Sequence, residues 1–174
     1  MIEGREFVVY NLLLTSNALT DDIRSYLSEF RENGEYCQLL WPLEDGADVS
    51  ECRRMFKSDE NTDYLCFYID DTLVGMGRCT KEPNHIENGK IGYSIRPSQR
   101  GKLYAPVLIR MLESYCEKNG ISGVTACVDA RNSRSIQALH HAGFEQTGVT
   151  YNWTKGRKAL EFAPRLAARQ AENS

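Results

Sequence analysis

At 174 residues, with 24 acidic against 21 basic side chains and a net charge of -3, the chain is long enough for one domain with a substantial core, and it carries no bulk positive charge to hold nucleic acid. No run approaches the roughly 20 apolar residues of a membrane span, so no membrane role is expected. Six scattered cysteines, none in a Cys-x-x-Cys pair and several inside apolar runs, point to reduced thiols in a cytoplasmic setting; a metal site would need tighter His and Cys spacing, so none is expected.

In chain order, residues 7–14 form a β-rich apolar run and predict a first strand. Thr20 then caps a helical pattern through Ile23, Tyr26, Leu27 and Phe30 that stops at Asn33-Gly34. Val49, Cys52, Met55 and Phe56 recur at helical spacing and predict a second short helix over residues 48–57. Residues 64–69 and 73–79 read as two strands joined at Asp70-Asp71-Thr72, a hairpin by length and turn chemistry. The polar stretch 81–90 reads as a loop leading into a fourth strand at 91–96, which Pro97 ends.

A helix starting at Lys102 or Leu103 and ending at Lys118 follows, with Pro106 tolerated in its first turn and Asn119-Gly120 as its stop. Residues 124–128 then read as a strand, 133–142 as a helix and 144–153 as a last strand, while the tail 158–174 reads as weakly helical or frayed. The alternation makes this a mixed α/β domain.

The most informative stretch is Gln99-Arg100-Gly101-Lys102-Leu103-Tyr104-Ala105, which sets backbone amides and two cations at a helix start. The first amides of a helix lack intrahelical partners and its dipole favours negative charge, so a phosphate-bearing ligand is the natural occupant. With Arg96-Pro97-Ser98 before it, this turn resembles the coenzyme A loop of the GCN5-related N-acetyltransferases (GNAT), whose pattern is R/Q-x-x-G-x-G/A; Arg100 opens it and Ala105 closes it. A second landmark, Asn132-Ser133-Arg134-Ser135 running to Gly143-Phe144, is similar to the family's N-x-x-S/A…G-F segment, as in its ribosomal-protein N-acetyltransferase branch. Ile91-Gly92-Tyr93-Ser94-Ile95-Arg96-Pro97 looks like a bacterial group of predicted acetyltransferases. Close similarity covers about a third of the chain.

The resemblance implies a GNAT fold, a central mostly antiparallel sheet of about six or seven strands flanked by helices, and transfer of an acetyl group from acetyl-CoA to a primary amine. It implies that the main chain from Arg100 through Gly101, Lys102, Leu103 and Tyr104 to Ala105 holds the pyrophosphate, that the main chain at Ser94 and Ile95 pairs with the pantetheine arm, and that Asn132 and Ser135 lie on the cofactor side. Asn132 also suits a helix N-cap, and both readings stand. Two departures matter: Leu103 replaces a glycine, and Leu139 replaces the tyrosine that often serves as general acid.

An amine with pKa near 10.4 must shed a proton to attack, so a base is required. The resemblance implies Glu87, just upstream of the fourth strand where family members often carry a catalytic glutamate, as that base, with Tyr93 as a candidate proton relay; the alternatives are an exposed loop carboxylate and a packed ring. His85, Asp129, His140 and His141 read more simply as loop, turn and surface residues, and Cys127 as core. Family members often dimerise, so a homodimer fits the reading. The competing expectation is a non-catalytic module of the same fold that binds CoA, another ligand or a protein.

Overall fold

The computed structural model of the chain describes residues 8–11, 17–35, 61–82, 85–152 and 156–165. The elements are β1 (Val8–Asn11), α1 (Asn17–Glu32), β2 (Thr62–Ile69), β3 (Thr72–Glu82), β4 (His85–Ile95), a 3-10 turn (Pro97–Gln99), α2 (Tyr104–Lys118), β5 (Gly123–Asp129), α3 (Ser133–Ala142), β6 (Phe144–Asn152) and β7 (Arg157–Pro164). The described strands form one seven-stranded sheet in the order β1-β2-β3-β4-β5-β7-β6, mixed in class as expected. The β4–β5 ladder is parallel, pairing Asn88 to Ile91 with Gly123 to Ala126, whereas β1–β2, β5–β7 and β6–β7 are antiparallel.

The chain divides into two compact units, Met1–Arg78 with Tyr93–Tyr104 and Cys79–Gly92 with Ala105–Ser174. In the first, Ile23, Tyr26 and Phe30 recur at i, i+3 and i+7 on α1 and pack against Cys66 and Tyr68 of β2 and Leu73 and Met76 of β3. Removing each such large side chain from water contributes about 1.5–3 kcal/mol. The β2–β3 connection is the two residues Asp70 and Asp71, at φ 47 and 60, the double left-handed geometry of a type I′ turn whose twist matches the strands.

The second unit buries Leu108, Ile109 and Leu112 of α2, Val124, Ala126 and Val128 of β5, Leu139 of α3, Phe144 of β6 and Phe162 of β7. On β5 the alternation of Val124, Ala126 and Val128 gives one buried face. The helix α3 is capped at both ends, by the Asn132 side chain, which accepts from the Ser135 amide at 3.1 Å, and by Gly143 in the left-handed region at φ 93.

The structure corrects several expectations. The tail is not frayed from Lys158: Arg157–Pro164 is strand β7, paired on both sides, with Ala159, Phe162 and Ala163 buried. Its charged leading pair and Glu161 obscure the apolar pattern. The stretch 81–90 is not a loop either, since β3 continues to Glu82 and β4 starts at His85; Lys90 and Glu82 form a 3.4 Å ion pair there instead. The helix α1 starts at Asn17, ahead of the expected Thr20 cap, and α2 at Tyr104. The expected helix at 48–57 lies outside the described residues. Among the described residues no helix is long and apolar enough to cross a membrane.

Candidate active site

The sequence-predicted residues fall into two sets. Tyr93, Ser94, Ile95 and the turn from Arg100 to Tyr104 belong to the first unit; Glu87, Ala105, Asn132 and Ser135 belong to the second.

In the first set, the chain leaves β4 with the Arg96 amide donating to the Val74 carbonyl at 2.9 Å and enters the 3-10 turn, where the Arg100 amide donates to the Pro97 carbonyl at 3.3 Å. Past Arg100 the backbone alternates in hand: Gly101 has φ 80 and Leu103 φ 58, with Lys102 between them outside the positive-φ set. Alternation of this kind turns successive N–H groups toward one point and makes an anion-binding concavity, or nest. Among the described residues no hydrogen bond takes up the amides of Gly101, Lys102 and Leu103, and all three residues are exposed. A phosphate group fits that donor set. A Cβ built on Gly101 would meet nothing within 4 Å, so glycine is needed there for its φ alone.

Leu103 stands where the resembled pattern has glycine. It keeps the left-handed conformation that glycine favours and turns its side chain to solvent, 67% exposed.

The cations of the turn are engaged elsewhere. The Arg100 guanidinium donates to both Glu35 oxygens at 2.8 and 2.7 Å and lies over the Phe30 ring at 5.3 Å from its centroid. The Lys102 ammonium donates to Gln99 Oε1 at 2.8 Å. Arg96 donates from Nε to Glu29 and from Nη2 to Ser25 Oγ at 2.7 Å, while the second Glu29 oxygen accepts the Ser98 amide. Although burial raises the Glu29 carboxyl, the hydrogen bonds from Arg96 and Ser98 bring it below the usual carboxylate range. The Ser94 hydroxyl shares a 2.7 Å hydrogen bond with the Tyr26 phenol.

In the second set, Glu87 is an exposed residue within β4, not upstream of it, and its carbonyl accepts from the Ser122 amide at 2.9 Å. Tyr93 is half-buried six residues further along the same strand, about 20 Å by strand rise, so the two side chains cannot share one proton directly. Asn132 caps α3 through its side chain, and the Ser135 amide is the group it caps.

Asp129 is a turn residue: Arg131 donates to it from its amide and guanidinium, Arg157 lies 3.5 Å away, and the Arg131 bonds hold its carboxyl down at about 2. Such a weak base is unsuited to taking a proton from an amine. Leu139 is 1% exposed, a core residue. Cys127 is the surprise, exposed rather than core, on the open face of β5 opposite Glu161. Burial of its sulfur and the Glu161 carboxylate push its thiol up, against thiolate chemistry.

Sequence reasoning missed the partners of the turn. Glu29, Glu35 and Tyr26 lie more than 60 residues from the groups they hold, and a lone acidic residue on an amphipathic helix carries no signal of its target.

A sheet with one parallel ladder beside antiparallel ones, ending in a nest that opens a helix, defines the class. Residues 12–145 match the acetyltransferase (GNAT) domain, and the chain belongs to that family. By sequence, no curated protein matches it. Among solved structures it is similar in fold to ribosomal-protein-S5-alanine acetyltransferase from Vibrio fischeri, with TM-score 0.73 at 13% identity over 93% of this chain and 94% of that one. Spermidine N-acetyltransferase from Vibrio cholerae in complex with CoA and spermine gives 0.68 at 15% identity, over 90% and 94%. An aminoglycoside acetyltransferase in complex with coenzyme A and kanamycin gives 0.70 at 12%, over 97% and 100%.

Proposed function

We propose that the chain moves an acetyl group from acetyl-CoA to a primary amine by direct attack. The observation that carries this reading is the nest at Gly101, Lys102 and Leu103 on a chain of the GNAT family: three amides that no hydrogen bond takes up among the described residues, a donor set that suits a diphosphate. The amine nitrogen bonds to the thioester carbonyl carbon, the carbon–sulfur bond breaks, the nitrogen's proton passes to a base and the thiolate leaves or takes a proton.

Within this proposal the amides of the turn from Gly101 to Ala105 bind the diphosphate and the Ser94 and Ile95 main chain holds the pantetheine arm, with Asn132 and Ser135 as further candidate cofactor residues. Arg100 shapes the turn from behind, since its amide and guanidinium are already bonded. Glu87 is the candidate base, for which an exposed carboxylate suffices if a water connects it to the amine. We place the enzyme in the cytoplasm as a single functional domain without a metal. The free thiols of Cys66, Cys79, Cys116 and Cys127 support that setting.

The test is release of CoA thiol from acetyl-CoA with a panel of amines: a peptide with N-terminal alanine, spermine, kanamycin and a lysine peptide. Turnover of at least one, falling 10²–10⁴-fold in Glu87→Gln, is the expected result. The buried Leu139, standing where a general-acid tyrosine is common, supports a second reading as a non-catalytic CoA-binding module. Binding with no turnover of any amine would establish that reading in place of the first.

A further inference from the structure

One face of α1 meets the cofactor turn residue by residue. Tyr26 bonds Ser94, Ser25 and Glu29 hold Arg96, Glu29 also takes the Ser98 amide, and Phe30 with Glu35 holds Arg100. The positions gripped are 94, 96, 98 and 100, every second residue of the segment. The segment Tyr93–Tyr104 accordingly belongs to the same compact unit as α1, although it runs directly into α2, which belongs to the other.

Glu29 is the centre of this arrangement. Its side chain is 18% exposed against 16% for Arg96, and its two oxygens face different parts of the turn, one the guanidinium and one the main chain. Charge-assisted bonds to a half-buried pair are directional and strong. They fix the 3-10 turn from which the left-handed residues Gly101 and Leu103 follow.

We infer that Glu29 is a positioning residue for the cofactor turn and that, through it, the turn and α1 respond to the cofactor as one body. This rests on the reading of Gly101 to Leu103 as the diphosphate nest. A nest aligned only part of the time binds more weakly in proportion to the fraction aligned, so releasing Glu29 weakens acetyl-CoA binding although Glu29 touches no part of it. If the aligned fraction falls to about one in ten, the apparent Kd rises about tenfold.

The experiment titrates acetyl-CoA calorimetrically into the native chain, Glu29→Gln and Glu32→Gln, with thermal melts of each. Glu32 carries the same charge on α1 and bonds Ser28, so it controls for charge alone. The expected result is a Kd raised about tenfold in folded Glu29→Gln, no change in Glu32→Gln, and kcat at saturating acetyl-CoA largely kept. A purely structural role would lower the melting temperature and leave the Kd of the folded protein alone, which overturns the inference. Hydrogen exchange of the native chain gives a second readout should Glu29→Gln not fold: acetyl-CoA slows exchange at Ser98 and over residues 25–33 of α1 and its C-terminal turn. Slowing confined to the turn, with α1 unchanged, refutes the coupling. Failure of the native chain to bind acetyl-CoA removes the nest reading and this inference together, whereas equal affinity in native and Glu29→Gln removes this inference alone.

Discussion

Leu103 is the sharpest point at which residue and backbone disagree, and replacing it by glycine isolates the disagreement. A non-glycine residue in the left-handed region costs about 1–2 kcal/mol, because Cβ crowds the following carbonyl. Leu103 sits there at φ 58, and with its side chain 67% exposed it recovers little of that cost by burial. Glycine removes the crowding but has more freedom to lose on folding, about 0.5–1 kcal/mol. The net effect of Leu103→Gly is a stabilisation of about 0.5–1 kcal/mol, or a rise in Tm of about 1–4 °C for a chain of this size. Differential scanning calorimetry of the native chain, Leu103→Gly and Leu103→Val reads it directly. Valine, branched at Cβ, suits a positive φ worse than leucine and should lower Tm. A fall in Tm for Leu103→Gly of more than about 2 °C would refute the reasoning, since it would mean that the leucine side chain packs against something that outweighs its backbone strain.

Three further predictions rest on separate features. Asp129 titrates in the folded protein near 2 because Arg131 bonds its charged form; with an unfolded value near 3.9, it contributes stability above that pH that is lost as pH falls toward 2. NMR titration of its carboxyl carbon should give the low midpoint in the native chain and a raised one in Arg131→Ala, still below the unfolded value because the amide of residue 131 and Arg157 stay in place; an unchanged midpoint in the variant would contradict the assignment. Two glycines in the described structure should fail for opposite reasons, and urea unfolding separates them. Gly101→Ala pays for φ 80 with open space around it, about 1–2 kcal/mol, whereas a Cβ at Gly89 would lie 2.8 Å from Ile121 Cγ2 and 3.2 Å from the Thr80 carbonyl, an overpacking cost of about 1–3 kcal/mol that Ile121→Ala should partly relieve. Relief of Gly101→Ala by Ile121→Ala would be the wrong result. Cys127 should alkylate more slowly than a free thiol at pH 8 despite its exposure, and faster in Glu161→Gln; a rate above that of free cysteine in the native chain would show that its thiol is not pushed up.

What the sequence made legible was the local and the periodic. The helix from Ser133 to Ala142 was readable because Asn132 and Gly143 bracket it with capping chemistry, and the β2–β3 turn because Asp70 and Asp71 tolerate positive φ. The turn at Arg100 to Ala105 was readable as a turn from its glycine and its place before a helix. What stayed hidden depends on partners distant in the chain. β7 begins with Arg157 and Lys158 and is a strand because β5 and β6 pair with both its edges, a fact no short window contains. The stretch 81–90 reads as a loop because it is polar and holds Pro83, Asn88 and Gly89, yet its Glu82 and Lys90 form an ion pair on neighbouring strands. Cys127 reads as core because it sits among apolar neighbours, whereas the alternation of β5 turns it outward. The basic residues of the turn suggested direct contact with phosphate, and nothing local reveals that Arg96 and Arg100 face the carboxylates of Glu29 and Glu35.

The central claim is that the turn after β4 is built to hold acetyl-CoA. Calorimetric titration of the native chain with acetyl-CoA tests it most directly. Saturable one-to-one binding in the micromolar range, weakened by Gly101→Ala, is what the nest predicts. An absence of binding by the folded native chain would contradict it, and with it the acetyltransferase reading of the site.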